Sequence, residues 1–488
     1  MSSRFLVLVL LLPVLSLGQS RIASTGAGDP DLQKGLTLYQ HKEYIKARDV
    51  FLHVTQIRSR SAEAFFYLGI SEARLGNLPQ AEDSLRRALT LDPNSLPAVY
   101  NLGVVLLDQK KPVEGAPYLE RAYRKGPASP ELAVNLVRCY LDLQKNDQAI
   151  AVAEAAGQRY HDLPAFHLEV GKFFASHGLT THARAFLETA NCLAPSSPEV
   201  VIPLAEVYLQ EKDSAHALQV LESISPSSRD SAYFHFLMAQ GYFLAGQKDA
   251  TLAEMGRAIE LDNRNPVFLL TLARYYQKYG NQQKALDALE GAARLAPDLP
   301  EIPYSMAVSY FIADDFDSAL KFAQESLKID PSFDRALFLL GIGRFAQGKL
   351  PEAEQALAQA EKLRPNNPFY PCFEGMVLLS ENRSQEALPY FQRALALDPS
   401  YALAHYQLGR LYARASQYHE ARAELEKAVG LQPDLAEAYY QLAHTYQRLD
   451  EEQKADQAMQ TFKKYRGEEY TERQEVLKEV QNVVKSQP

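Results

Sequence analysis

The side chains that most often carry catalysis or bind metals are thinly spread through this 488-residue chain. Its 11 histidines are scattered, and His161, His167, His177 and His182 are the nearest thing to a cluster. A zinc ion needs three or four ligands converging from one face. These four fall at unrelated points of the pattern described below, so no metal site is expected. Asp314, Asp315 and Asp317 form an acidic turn without the ligand spacing of a calcium-binding loop. Cys139, Cys192 and Cys372 lie far apart and make no CxxC motif, which reads as three isolated buried or half-buried thiols. There is no glycine-rich phosphate loop, no GxSxG elbow and no HExxH. We expect no catalytic residue, no metal and no cofactor.

What remains is the chemistry of recognition. Asparagine and arginine can hydrogen-bond a peptide backbone or a carboxylate, and aromatic rings can anchor apolar side chains of a partner. Whether any of them does so depends on the elements that carry them.

Those elements repeat. Counted in steps of 34 from Gly28, the eighth position reads Gly35, Gly69, Gly103, Val137, Gly171, Ala205, Ala239, Ala273, Ala307, Gly341, Gly375, Gly409 and Ala443. The twentieth runs from Ala47 to Ala455 with only Gly115 and Thr251 departing from alanine, and the twenty-seventh is alanine in nine units. Position 32 carries Pro93, Pro127, Pro195, Pro297, Pro331, Pro365, Pro399 and Pro433, each of which stops a helix. Within the unit from Ala62, Phe65, Leu68, Gly69 and Leu75 keep helical spacing. After a turn at Gly76-Asn77, Ala81, Leu85, Ala88, Leu89 and Leu91 make a second helical run. Small residues at 8, 20 and 27 let two helices approach, and large ones at 7, 24 and 28 fill the space around them. Such a hairpin is apolar on both sides and must stack on its neighbours.

Runs such as AEAFFYLGISEARLGNLPQAEDSLRRALTLDPN and ALAHYQLGRLYARASQYHEARAELEKAVGLQPD give the pattern its character, which resembles the tetratricopeptide repeat family. The resemblance covers thirteen units, from Gly28 to about Glu469. It implies an all-α fold: a right-handed α-solenoid of about 13 helix-turn-helix units, whose concave face holds extended or helical peptides. Together with the leader below, it implies an exported protein of bacterial type.

Ends and breaks in the pattern give the domain organisation. Residues 1–18 read as a secretory signal peptide: basic Arg4, an apolar run from Phe5 to Leu17, and small Ser16 and Gly18 before the cut. Thirteen apolar residues are too few to span a bilayer, which takes about twenty, so no stable transmembrane segment is expected after cleavage; an uncleaved anchor is the alternative. Residues 19–29 form a flexible linker. Val476, Leu477, Val480, Val483 and Val484 make one apolar stripe, so 470–488 is expected to cap the last unit. Pro203 falls inside a first helix, where it removes a donor and should kink the chain. A bend there divides units 1–6 (28–231) from units 7–13 (232–469). Pro117 and Pro389 are placed near the start of second helices, where a missing donor costs little. The protein is expected in the periplasm or outside the cell.

Net charge is −9, which argues against nucleic acid as the ligand, since phosphate binding needs a surplus of Lys and Arg. Partners are expected to be proteins or peptides. On the first helix of each unit, positions 7, 8 and 11 pack the fold, whereas 2, 5, 9 and 12 lie on another face whose chemistry varies. The resemblance makes that second stripe the binding groove. Units 3 to 5 offer Tyr100, Asn101, Asn135, Arg138 and Lys172, a polar and basic patch. Units 9 to 11 offer Tyr304, Phe311, Phe338, Phe345 and Phe373, with Ile342, Phe369 and Met376, an aromatic wall. Units 12 and 13 offer Tyr406, Arg410, Arg414, Tyr440, His444 and Arg448, a cationic and aromatic mixture. Position 5 aromatics could equally pack on the next helix. No unit has Lys at position 5, so the carboxylate clamp of chaperone-binding members of the family is absent.

The function expected is that of a non-enzymatic scaffold, binding partner segments during assembly or secretion in the cell envelope. The rival is an accessory or substrate-docking subunit of a separately encoded enzyme, such as a glycosyltransferase or peptidase.

Overall fold

The computed structural model describes residues 29–126 and 129–465, and the statements below concern these. The expected signal peptide (1–18), nearly all of the expected linker (19–29) and the expected capping helix (470–488) lie outside them. The described residues form 26 α-helices, one short 3-10 turn (Pro226–Ser228) and no strand. The helices come in consecutive pairs that keep the 34-residue phase, a first helix of 11 to 13 residues and a second of 14 in every pair but the sixth. The chain divides into two compact units at Gln247/Lys248. The first holds six complete pairs and the helix Ala232–Leu244. The second starts with Lys248–Leu261 and goes on through six more pairs. This division lies between the two helices of the seventh repeat, whereas the bend expected at Pro203 placed it at 231/232.

Local chemistry sets the helix ends. Ser61, Ser129 and Ser231, each the last residue of its repeat, accept a hydrogen bond from the backbone N–H three residues on, at 3.1 Å in each case. Between the helices of every pair the fifteenth position takes a left-handed backbone conformation. Glycine fills it five times (Gly76, Gly178, Gly246, Gly280, Gly348). Elsewhere Lys42, Lys110, Gln144, Lys212, Asp314, Asn382, Ser416 and Asp450 are held at φ of 57° to 62°.

Where position 8 is glycine, a large side chain at position 24 fills the space inside the pair. A Cβ placed on Gly375 would come within 2.7 Å of the Phe391 ring, and one on Gly35 within 2.5 Å of Phe51. Gly69, Gly103, Gly171, Gly341 and Gly409 face Leu85, Leu119, Leu187, Leu357 and Leu425 in the same way. Where position 24 shrinks to Ala153, position 8 grows to Val137, and all these side chains are buried. Between units, ion pairs stitch position 21 of one repeat to position 16 of the next: Glu82 to Lys111 at 3.0 Å, Glu354 to Arg383 at 3.3 Å and Arg422 to Glu451 at 2.6 Å. Being on the surface they contribute little, at most about 1 kcal/mol each.

Pro203, Pro117 and Pro389 all lie inside helices. The helix Pro198–Gln210 runs unbroken through Pro203, and the irregularity of that repeat falls on its second helix. Ser214–Glu222 is only 9 residues long and gives way to the 3-10 turn that starts at Pro226. Pro117 and Pro389 are also further in than expected: each is the sixth residue of its helix (Pro112–Lys125 and Ser384–Leu397), past the donors a first turn leaves free.

Candidate protein-binding surface

Three stretches of the first-helix stripe were candidates, and their exposure separates them. In units 3 to 5 the polar groups are turned inward upon the protein itself. The Asn101 amide is buried and donates to the Pro97 carbonyl at 2.8 Å. Asn135 donates to the Tyr100 hydroxyl at 2.9 Å, and burial pushes that phenol up to about 12. Arg138, also buried, donates to Asp108 at 2.9 Å, and burial raises the Asp108 carboxyl even against the neighbouring guanidinium. Lys172 alone is exposed, and it pairs with Glu169 three residues back at 3.1 Å. The donors expected to meet a peptide backbone are thus already used, Asn135 and Arg138 across neighbouring repeats and Asn101 and Lys172 within their own helices.

The aromatic wall of units 9 to 11 is core. Tyr304 is 7% exposed, and Phe311, Phe338 and Phe373 are each 1% exposed. Phe338 meets Phe373 edge-on at 5.3 Å and Tyr370 at 5.2 Å, while Phe311 packs on Phe316 at 5.2 Å and Tyr304 on Phe333 at 5.4 Å. Ile342 and Met376 are buried with them, and only Phe345 and Phe369 keep partial exposure. Rings of units 10 and 11 cover one another and those of unit 9 pack within it, so these residues fill the core and are not presented to a partner.

Units 12 and 13 differ. Tyr406 is buried and Arg410 half-buried, but Arg414, Tyr440, His444 and Arg448 are exposed on the consecutive first helices Ala402–Arg414 and Ala436–Arg448. Tyr440 is ordered by its own neighbours, at 4.5 Å edge-on to His444 and 5.2 Å from Phe462. Such a surface has a fixed aromatic body with cationic groups along its border, and it can hold an extended acidic or aromatic segment.

Other groups do not assemble into a site. Among the described residues no three His, Cys, Asp or Glu side chains converge as metal ligands would. His167 is buried beside Phe166 and Phe186, and burial lowers its proton affinity. His177 lies 3.5 Å from Asp142, and His182 packs on Phe174. Cys139 and Cys372 are buried, while Cys192 is exposed, more open than the sequence suggested. No helix of the described residues is long and apolar enough to cross a membrane.

Two sets of residues escaped the sequence reading. Tyr140, Tyr208 and Tyr446, all at position 11, donate to Glu120, Glu188 and Glu426 at position 25 of the preceding repeat, at 3.1, 2.7 and 2.9 Å. This is a recurrent tether from unit to unit, and its signal was the pairing of Tyr and Glu 20 residues apart. The second set is Glu374 with Glu361, two carboxyl groups at positions otherwise given to packing.

Comparison with known proteins agrees with the repeat geometry. Two tetratricopeptide repeat models match the chain, one over residues 106–168, 176–241 and 310–370, the other over 32–96, 68–130 and 374–462. The chain is similar to the cellulose synthase operon protein C of Pseudomonas fluorescens, 24% identical over 67% of this chain but only 28% of that relative. It is 23% identical to the type IV pilus assembly protein PilF of Pseudomonas aeruginosa, over 36% of this chain and 70% of PilF. A crystal structure of the APC/C hetero-tetramer Cut9-Hcn1 aligns with a TM-score of 0.44 and 15% identity, covering 91% of this chain and 94% of that one. Helix pairs in unbroken 34-residue phase, small residues where the helices of a pair meet, and family models that match most of that array lead to one assignment: the chain belongs to the tetratricopeptide repeat family.

Proposed function

We propose that this chain is a non-enzymatic scaffold that holds peptide segments of partner proteins along the first-helix stripe of its last repeats, in assembly or secretion at the cell envelope. The observation that carries the binding site is the exposed border of Arg414, Tyr440, His444 and Arg448, beside candidate stretches that are mostly buried. The envelope setting is supported by the signal-like leader and by relatives whose names refer to a cellulose synthase operon and to pilus assembly. On this reading the protein is exported, to the periplasm or beyond.

Full-length protein and an Arg414→Ala/Tyr440→Ala/His444→Ala variant, crosslinked in native envelopes and analysed by mass spectrometry, test the proposal. Crosslinks to partner segments should map to units 12 and 13 and fall at least about tenfold in the variant, the loss expected for roughly 1.4 kcal/mol or more of binding energy. Unchanged capture refutes the site. Recovery of one enzyme in stoichiometric amount would favour a docking subunit over a general scaffold.

A further inference from the structure

Position 7 is apolar in every repeat from Leu68 to Leu442 except the eleventh, where it is Glu374. Position 28 of the tenth repeat is Glu361, where the repeats on either side have Leu327 and Leu395. The two anomalies meet. Glu374 is 3% exposed, on the helix Phe369–Ser380, and its carboxyl hydrogen-bonds that of Glu361, on the preceding helix Leu350–Leu363. The Arg393 guanidinium, on the following helix Ser384–Leu397, pairs with Glu361 and lies over the Tyr390 ring at 5.1 Å. Glu374 Oε1 has no hydrogen-bond partner. The cluster therefore has two carboxyl groups and one cation in a place built for leucines.

Two adjacent carboxylates, Glu374 buried and Glu361 partly buried, cannot both be ionised without a penalty. Arg393 balances one charge, that of Glu361. A carboxyl–carboxylate hydrogen bond also needs a proton, and an unpartnered Oε1 is far better tolerated on a neutral acid than on an anion. We propose that Glu374 and Glu361 share one proton, and that its release makes the junction between repeats 10 and 11 a pH-sensitive joint, closed when protonated and loosened when the proton is lost. Burial first, then the Glu361 charge, hold the Glu374 proton affinity well above the ordinary carboxylate range, with Arg393 and Tyr390 opposing in part. The sign follows from linkage. With the folded pKa raised, the stabilisation is full below the unfolded value of about 4.5 and fades as pH rises through the folded value. No reactant is needed beyond one proton passing to solvent.

Amide hydrogen exchange of the full chain between pH 6 and 9, corrected for intrinsic rates, reads this directly. Opening of the peptide covering Phe369–Ser380 should increase with pH, by up to about tenfold per unit for one proton released, while peptides of units 3 to 5 stay flat. Glu374→Gln keeps the volume without an ionisable proton and should abolish the slope. Glu361→Gln removes the neighbouring charge that raises the Glu374 proton affinity and should shift the slope to lower pH. A wild-type slope in either variant, or no slope in the wild type, overturns the proposal. If Glu374→Gln does not fold, Glu361→Gln alone decides.

Discussion

Gly375→Ala isolates the fit between positions 8 and 24. In an exposed helix the change should stabilise, since glycine is about 1 kcal/mol worse than alanine. Here the new Cβ meets Phe391 Cε1 at 2.7 Å and Cζ at 2.9 Å. The ring belongs to a fully buried side chain and has no room to turn away. Overpacking of this kind costs about 1–3 kcal/mol, so the net effect is a loss of roughly 0–2 kcal/mol. Gly256→Ala is the control: it also lies within a helix, with nothing within 4 Å of the added Cβ, and it should gain roughly 0.5–1 kcal/mol. Phe391→Leu should rescue Gly375→Ala, because alanine faces leucine without strain in the buried pairs Ala205/Leu221 and Ala273/Leu289. The double variant should therefore be less destabilised than the sum of the singles by about 1–2 kcal/mol. Long arrays need not unfold in one step, and the chain has 0 tryptophans as a probe. Local opening energies from amide exchange are the appropriate assay. Additivity within about 0.5 kcal/mol, or a Gly375→Ala variant as stabilised as Gly256→Ala, would refute the reasoning.

Three further outcomes are expected. Lys212→Gly should raise the urea midpoint of its repeat, worth roughly 0.5–1 kcal/mol, because Lys212 is held at φ 61°; Gly76→Ala, at φ 79°, should lower it. Tyr446→Phe leaves Glu426 without its 2.9 Å donor and should cost about 0.5–1.5 kcal/mol, with increased exchange at the junction of units 12 and 13. His167, whose folded pKa is depressed by burial, stabilises above its unfolded value of about 6.5 and loses that contribution as pH falls below it. Thermal melts between pH 7.5 and 5 should therefore decline more steeply for the wild type than for His167→Phe.

The period, the helix pairs and the packing positions were legible because close helix contact demands a particular size at a particular spacing: Ala81 and Gly69 admit few substitutes. The groove was only half legible. Spacing fixes the direction in which Phe338 and Tyr440 leave their helices, both at position 5, but not whether a neighbour covers them. Phe338 is covered by Tyr370 and Phe373, while Tyr440 stays exposed. Asn135 was misjudged for a similar reason. Its partner is Tyr100, 35 residues away, and one residue's hydrogen-bonding capacity does not say which neighbour will use it. The left-handed turn at Lys212 or Gln144 was hidden too, since only the five glycines of that series have a residue type that reports the conformation.

The two kinds of coupling in this array cross different seams. The trade between positions 8 and 24 closes within one hairpin, so a whole 34-residue module taken from Gly375 with Phe391 carries its own volume match wherever it is spliced. The Tyr446–Glu426 tether spans two modules and is severed by the same cut. Shuffling intact repeats should thus conserve each hairpin while randomising the strength of its seams. A splice between the helices of a hairpin does the reverse, keeping the neighbour tether and breaking the core. Viable chimeras of this array should have their crossovers at repeat boundaries, and their weakest seams where Tyr and Glu no longer face each other.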